Sequence, residues 1–408
     1  MLDLRYLREN PDEVRTSIQR RGLNTDFDRW LKLDTRRSEL IPHVDELRAQ
    51  LKIEGKPTPE QLTELQKLKH SLGEREQELA YIEREWKELW SDVPNRLAED
   101  TPDGGEEANR AEYVGLEPRK MDFPIKDHME LNETLGFVDF ESGTRTSGSR
   151  FYILKSRGAR LWQACVGLIS RLAAEEGFEL TMVPHMVSDR VAAGTGYLPR
   201  GEERQIYRVE GEDLNLIATS ELPLTGMHMD QVIDLAQPQL YAGLSSCYRM
   251  EAGTYGKFAK GLYRVHQFEK LELYAYTQPE QSEAMLKKIL ALEEKICQTL
   301  EIPYRILRIA AGDMSAPAYQ KYDLEYWSPS DETWRELTSC SNCTDYQARR
   351  LNIRYRAADG SLQNPHTLNG TAITSTRTLI ALIENFQTAD GNVRLPAALQ
   401  PFYGGETL

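Results

Sequence analysis

The chain has few cysteines, no long apolar run and no excess of positive charge. Its five cysteines are scattered over 408 residues, too few and too far apart for a disulfide framework. No apolar stretch approaches the length of a membrane span, and the N-terminus alternates charge with leucine instead of showing a signal peptide. We therefore expect a protein of the reducing cytoplasm that makes no membrane contact.

The charge balance is acidic. The chain carries 64 Asp and Glu residues against 50 Lys and Arg residues, a net charge of -14 at pH 7. This balance favours solubility and argues against a generic nucleic-acid coat, so any polyanion must be bound by local basic patches. The length allows two or three domains with sizeable cores.

The N-terminal part of the chain predicts helices. Residues 1–26 are predicted to form a short helical unit. After it, apolar residues recur at spacings of three and four on both sides of the breaker Gly-Lys-Pro-Thr-Pro at 55–59. The pattern predicts an antiparallel helical hairpin over about 30–93, with a kink at Pro42. By itself it fits a dimerisation coiled coil as well as a binding arm.

The remainder divides into a linker and a larger domain. A segment at 101–125 is rich in charge and turn formers, and we expect it to separate an N-terminal domain (1–100) from a C-terminal domain (126–408).

The C-terminal domain mixes two periodicities. Strands are predicted at 214–219 and 262–274, and helices at 159–176 and 279–300. This mixed order, with hairpin-like strand neighbours, predicts an α+β fold with a mainly antiparallel sheet flanked by helices.

Two arginine-bearing stretches carry the chemistry. The first lies at 247–251 and runs on to 264–272, and the second lies at 376–378. Arginines suit bidentate phosphate contacts, an aromatic ring can stack on a base, and a carboxylate can hold an ammonium group. The stretches therefore predict a pocket for ATP and an amino acid.

Strand alternation indicates how these side chains are grouped. It puts Arg249 on one face with Glu251, and Arg264 on one face with Phe268 and Glu272. For Arg249 and Glu251, an ordinary ion pair on a sheet surface is the plain alternative.

Together with further segments, these stretches resemble the seryl-tRNA synthetases, which are class II aminoacyl-tRNA synthetases. The resemblance runs through nearly the whole chain in the family's order. Its other segments are MLDLRYLRENPDEVR at the start, SGSRFYIL at 147–154, GTGYLP at 194–199, LIATSELPL at 216–224, TSCSNCTDYQARRLNIRY at 338–355 and TLNGTAITSTRTLIALIENFQ at 367–387. The resemblance implies the class II catalytic fold, a hairpin that grips tRNA away from its acceptor end, and a homodimer whose interface includes 177–187.

The reaction that the resemblance implies is activation of L-serine by ATP and transfer of the seryl group to the 3′ end of tRNA(Ser). Arg249 and Arg377 would be the catalytic arginines on the α-phosphate and over the adenine, Glu251 would orient the adenosine, Phe268 would stack on the adenine, and Arg264 would reach the phosphate tail. The implied ATP-binding set is Arg249, Met250, Glu251, Arg264, Phe268, Glu336, Leu337, Thr338, Ser339 and Arg377.

Magnesium is implied with the nucleotide, at Glu336 and Ser339. Positions three apart point to opposite faces of a regular strand, so this pair requires a bulge or a strand end. No structural zinc is expected at Cys340 and Cys343, because no second pair is spaced to complete four ligands.

Serine recognition is implied for a second set of residues. A buried carboxylate near the substrate ammonium is chemically sensible, and hydroxyl partners can reject alanine because an unfilled polar site is costly. Alternation along the predicted strand puts Thr219 and Glu221 on one face. The implied serine-binding set is Thr219, Ser220, Glu221, Arg249, Glu272, Asn342 and Thr371.

The chain departs from the family pattern at three places. Lys257, Phe258, Ala259 and Lys260 replace a usual Arg-Asp-Thr-Arg, so contacts to the ATP tail or acceptor end are expected to differ. The third motif carries Ala372 and Thr376 where glycines are frequent. The hairpin is also about three turns shorter than is usual.

Two other functions stay open: a paralogue that loads an amino acid onto a non-tRNA acceptor, and a non-catalytic RNA-binding homologue. The retained hairpin counts against the first. The presence of Arg249, Arg377, Glu221 and Glu272 counts against the second.

Overall fold

The computed structural model describes residues 1–52, 58–197, 206–251 and 261–408. Most of the breaker at 55–59, the end of the GTGYLP segment and the substituted loop Lys257–Lys260 lie outside the described residues. The described chain divides into two compact units, Met1–Arg96 and Leu97–Leu408. None of its helices is long and apolar enough to cross a bilayer.

The N-terminal unit is helical. Its helices are α1 Leu4–Glu9, α2 Pro11–Arg20, α3 Phe27–Gln50 and α4 Pro59–Asp92. The α3–α4 pair forms the predicted hairpin, and α3 continues through Pro42. Thr58 opens α4 with a capping box, which satisfies two backbone donors at the helix start.

An aromatic cluster holds the base of the hairpin together. The rings of Phe27 and Trp30 stack at 5.5 Å between centroids, and Trp30 and Trp86 at 6.1 Å. The indole of Trp86 donates to Asp34 at 3.0 Å, and Arg8 donates to the same carboxylate at 2.7 Å. Because Trp30 is fully buried, this cluster fixes how the two long helices meet.

The C-terminal unit is built on an eight-stranded sheet. The strands of the unit are β1 Arg110–Leu116, β2 Val138–Asp139, β3 Ile153–Leu154, β4 Glu179–Met182, β5 Met186–Val187, β6 Asn215–Leu216, β7 Val232–Ile233, β8 Gln239–Tyr248, β9 Gln267–Thr277, β10 Tyr304–Arg308, β11 Gln320–Ser328, β12 Thr333–Thr344, β13 Arg354–Arg356, β14 Leu362–Gln363 and β15 His366–Thr374. The large sheet has the order β1-β10-β11-β12-β15-β9-β8-β4. Neighbouring strands within this sheet are antiparallel, except that β4 and β8 are parallel. The predicted α+β class is confirmed.

Helices pack against both faces of this sheet. The helices of the unit are α5 His128–Leu135, α6 Phe140–Ser147, α7 Ser156–Glu175, α8 Asp189–Thr195, α9 Glu221–Gly226, α10 Ser282–Thr299, α11 Tyr346–Arg350, α12 Arg377–Asn385 and α13 Gln400–Tyr403. Helix α10 approaches β15 closely at Gly370, where a Cβ atom would lie 2.3 Å from a methyl group of Ile289. Leu271 and Leu273 of β9 face the core that α7, α10 and α12 form. Their neighbours along the strand therefore face the opposite side, where α9 and α11 pack.

The structure differs from the sequence expectations at three chain segments. The predicted linker 101–125 contains β1, which pairs with β10 at the edge of the large sheet. The strand predicted at 214–219 is confined to Asn215–Leu216, and the chain turns into α9 at Glu221. The strand predicted at 262–274 begins only at Gln267 and runs to Thr277.

Candidate active site

A cleft opens over β9, β12 and β15, on the sheet face opposite α7 and α10. It gathers most of the residues that the sequence predicts. Its predicted lining residues are Glu221, Arg249, Glu251, Arg264, Phe268, Glu272, Glu336, Leu337, Thr338, Ser339, Thr371 and Arg377. Further lining residues that the sequence did not predict are Tyr197, Tyr263, Val265, Lys270, Asn369 and Thr374.

Four predicted residues are not among those that line the cleft. Met250 is 38% exposed. Thr219 and Ser220 are fully buried, where the Thr219 hydroxyl accepts from the Glu221 amide at 3.3 Å. Asn342 is also buried, and its side-chain oxygen accepts from the backbone of Thr344 at 2.8 Å.

Arg249 lies at the end of β8, over an aromatic ring. Its guanidinium carbon is 5.0 Å from the centroid of Phe268, and its Nε donates to the carbonyl of Ala218 at 3.4 Å. Its backbone N–H donates to the carbonyl of His266 at 3.0 Å. A planar cation on an aromatic face forms a flat slot suited to a ring or a phosphate.

The strand alternation that predicts the grouping of Arg249 with Glu251 does not apply, because β8 ends at Tyr248 and Glu251 has a left-handed backbone, with φ of +47°. Glu251 instead forms an ion pair with Arg264, whose Nη1 lies 2.9 Å from Oε2. Arg264 precedes β9, so strand alternation does not set its direction. Both side chains nevertheless line the cleft.

Arg377 and Glu336 form an ion pair in the cleft. Arg377 is the first residue of α12, and its Nη1 lies 3.0 Å from Oε1 of Glu336. Desolvation favours the neutral carboxyl, but the charges of Arg377, Lys321 and Arg249 outweigh it and hold the pKa of Glu336 well below its ordinary value. Glu336 is therefore an anion at neutral pH.

A β-bulge aligns Glu336 with Ser339. Thr338 pairs with Leu324, whereas Glu336 pairs with Glu325, so Leu337 is an extra residue in β12. The extra residue reverses the alternation and puts Glu336 on the same strand face as Ser339. The bulge that this pair requires is present.

The carboxylate of Glu221 is buried, and both of its oxygens accept hydrogen bonds. One carboxylate oxygen accepts from Gln347 at 2.7 Å and from Asn369 at 3.1 Å, and the other accepts from the Tyr197 hydroxyl at 3.1 Å. Burial raises the pKa of Glu221, while these donors favour its charged form. Since Glu221 starts α9, it does not share a strand face with Thr219 as predicted.

Glu272 forms the second carboxylate of this chamber, next to Lys270. Nζ of Lys270 lies 2.5 Å from Oε2 of Glu272, and both side chains are buried. Burial raises the pKa of Glu272 to about 7. The positive charge of Lys270 opposes this rise, whereas the negative charge of Glu221 adds to it. Thr371 lies directly opposite Glu272 in the ladder. The chamber thus offers carboxylate and hydroxyl groups to a small ammonium-bearing molecule.

Two known protein families match parts of this chain. Residues 205–386 match the family described as the tRNA synthetase class II core domain (G, H, P, S and T). Residues 1–97 match the seryl-tRNA synthetase N-terminal domain.

Full-length relatives agree with both matches. The serine–tRNA ligase of Rubrobacter xylanophilus is 45% identical and covers 100% of this chain and 99% of that protein. The enzyme of the same name from Dictyoglomus turgidum is 44% identical, with 99% and 98% covered. The seryl-tRNA synthetase of Pyrococcus horikoshii, solved with ATP, superposes with a TM-score of 0.92 at 36% identity, covering 100% and 99% of the two chains. The chain belongs to the seryl-tRNA synthetase family.

Proposed function

We propose that the chain activates L-serine with ATP to seryl-adenylate and transfers the seryl group to the 3′ end of tRNA(Ser). The observation that carries this proposal is the junction of two sites in one cleft: the Arg249–Phe268 slot and the buried Glu221–Glu272 chamber. The reaction joins the carboxylate of an amino acid to the α-phosphorus of a nucleotide, so the two ligands must meet at such a junction.

The nucleotide is assigned to the arginine side. Phe268 stacks on the adenine, Arg249 binds the α-phosphate, and Arg377 covers the other ring face. Glu251 orients the adenosine, and Arg264 binds the phosphate tail. The enzyme forms no covalent bond to the substrate in this scheme, so positioning and charge neutralisation by these groups provide the rate enhancement.

The amino acid is assigned to the acidic chamber. Glu221 and Glu272 hold the ammonium group, and Thr371 binds the side-chain hydroxyl. Removal of that hydroxyl, as in alanine, leaves buried polar groups unpaired, which provides selectivity. Lys270 lies 2.5 Å from Glu272 and adds a cation that keeps part of this carboxylate charged.

The donor set fits magnesium. Glu336 is ionised, and it shares a strand face with the hydroxyl of Ser339. No group of three His, Cys, Asp or Glu side chains among the described residues is placed to hold a metal, so the other ligands would be phosphate oxygens and water, as Mg²⁺ prefers. When bound, the ion would offset the charge of the phosphates.

The N-terminal unit is assigned to tRNA, with the hairpin as the gripping arm and the domain boundary near residue 100. We place the enzyme in the cytoplasm, where its five cysteines stay reduced. Serine-dependent exchange of pyrophosphate into ATP, followed by charging of unfractionated tRNA, tests the proposal. A protein that exchanges but does not charge would be the paralogue with another acceptor, and one that does neither would be the non-catalytic homologue.

The chamber predicts a pH dependence. Because the pKa of Glu272 is raised to about 7, the carboxyl is neutral below that pH and charged above it. The kcat/KM for serine in pyrophosphate exchange should therefore rise with pH through about 7, and Glu272→Gln should lose this limb. Glu176→Gln, which removes a surface carboxylate paired with Lys295, is the matched control and should retain it. A limb that persists in Glu272→Gln would assign it to another group.

The edge of the large sheet predicts a homodimer. Strand β4 is the last strand of the sheet, and Leu180 and Met182 are 51% and 73% exposed there, with Met186 at 46%. An exposed apolar edge strand needs a cover, and a second copy of 177–187 can provide one symmetrically. Light scattering at micromolar concentration should give a dimer, and Met182→Glu should give a monomer. Leu362→Glu on β14, 44% exposed, should stay dimeric; a monomeric unmodified protein would refute the interface.

A further inference from the structure

The segment 261–266 delivers three side chains to the cleft without belonging to the sheet. It precedes β9, which begins at Gln267, and it carries Tyr263, Arg264 and Val265 of the cleft lining. Leu262 within it is fully buried. A buried backbone N–H outside a strand ladder must find another acceptor, because leaving it unpaired is costly.

His128 provides that acceptor. The N–H of Leu262 donates to Nε2 of His128 at 3.3 Å. Nδ1 of the same ring lies 2.9 Å from Oε1 of Glu384, and the backbone N–H of His128 donates to that oxygen at 3.0 Å. Since Nε2 accepts, the ring proton is on Nδ1 and donates to Glu384. The imidazole therefore bridges a backbone amide and a carboxylate that are both buried.

The bridge fits its neighbours closely. A Cβ atom on Gly261 would lie 2.2 Å from Nε2 of His128, and Gly261 has a φ of +62°, so a side chain there would push the segment off the ring. The ring of Tyr263 meets that of His128 edge to face, with centroids 5.1 Å apart. The second oxygen of Glu384 accepts from Ser330 at 2.7 Å, which fixes the carboxylate.

Glu384 connects this bridge to α12, whose first residue, Arg377, also lines the cleft. It lies on α12 seven residues after Arg377, two turns along the same helix face. His128 therefore ties the segment that carries Arg264 to the helix that carries Arg377.

We propose that His128, oriented by Glu384, is a positioning residue that holds Arg264 in place for the phosphate tail of ATP. This inference rests on the proposed function for its ligand. His128 is 3% exposed on its side chain and does not line the cleft, so it acts through the Leu262 amide. A shift of the segment moves Arg264 away from Glu251, 2.9 Å distant, and from any phosphate between the arginines.

Two near-isosteric variants separate the halves of the bridge. His128→Asn retains a donor toward Glu384 but has no acceptor at the Nε2 position, whereas His128→Gln places an oxygen near that position for Leu262. Both lose the ring contact with Tyr263, so they are matched. We expect the KM for ATP in pyrophosphate exchange to rise about tenfold in His128→Asn, with the KM for serine unchanged, and to recover in His128→Gln. Equal KM values for ATP in the two variants would overturn the proposal.

A double mutant tests whether His128 acts through Arg264. Arg264→Ala alone should raise the KM for ATP, and adding His128→Asn should raise it no further, because the two changes remove one interaction. If the two mutations instead multiply in their effects on the KM for ATP, His128 does not act through Arg264. Thermal unfolding of each variant confirms that the compared proteins are folded.

Amide hydrogen exchange reports on the bridge independently of activity. The Leu262 amide should be protected in the unmodified protein and in His128→Gln, and should exchange faster in His128→Asn. If the unmodified protein shows no serine-dependent exchange of pyrophosphate, the proposed function fails, and ATP binding by equilibrium dialysis replaces KM in the comparison. Unchanged protection at Leu262 in His128→Asn would refute the bridge in either case.

Discussion

Replacement of Arg249 by alanine is expected to lower serine-dependent pyrophosphate exchange by about a hundredfold or more, because a charge-stabilising donor at the reacting phosphate is typically worth about 3 kcal/mol or more. The side chain lies on the Phe268 ring at 5.0 Å from its centroid, at the junction of the two halves of the cleft. Its loss therefore removes both the α-phosphate contact and one wall of the slot. Single-turnover adenylate formation at saturating ATP and serine measures the effect.

Two further variants interpret this result. Arg249→Lys keeps the charge but loses the planar, bidentate group, so it should recover only part of the rate. Arg190→Ala removes an arginine that pairs with Asp230 on the surface, at 2.6 Å, and should exchange normally. Near-normal adenylate formation by Arg249→Ala would mean that the reacting phosphate lies elsewhere in the cleft.

Sequence alternation predicts correctly which side chains share a face where the residues lie on a regular strand. Phe268 and Glu272 lie on one face of β9 because both follow the start of the strand at Gln267. The same alternation puts Lys270 on this face, but the family resemblance assigns it no role. The requirement for a bulge between Glu336 and Ser339 also followed from alternation alone.

The errors occur where the backbone leaves regular structure. The sequence pattern predicts strand positions for Arg264 and Glu251, but Arg264 precedes β9 and Glu251 has a positive φ. Their ion pair therefore depends on tertiary folding. Glu221 starts a helix, and its partners Tyr197, Gln347 and Asn369 come from three distant segments. No local periodicity reports such long-range hydrogen bonds.

Shortening the helical hairpin should separate the two steps of the reaction. Removal of 41–74, with Leu40 and Arg75 joined by a short glycine-rich turn, should leave serine-dependent pyrophosphate exchange largely intact and lower tRNA charging severely. The Trp30–Trp86 cluster and the Arg36–Glu78 ion pair, 2.6 Å long, remain to close the shortened hairpin. Measurement of both activities on one preparation, with thermal unfolding, checks that the protein is folded.

The physical reason is that phosphate and shape contacts far from the acceptor end contribute binding and register but take no part in the attack on ATP. Exposed basic residues on the hairpin should then act on charging alone: Lys67→Gln with Lys69→Gln should raise the KM for tRNA and weaken its dependence on salt. Lys287→Gln, a surface lysine on α10 paired with Glu283, is the matched control and should change neither. If the shortened protein charges tRNA as well as the intact one, the hairpin binds a different partner. The alternative that it is a dimerisation coiled coil would then be tested by light scattering.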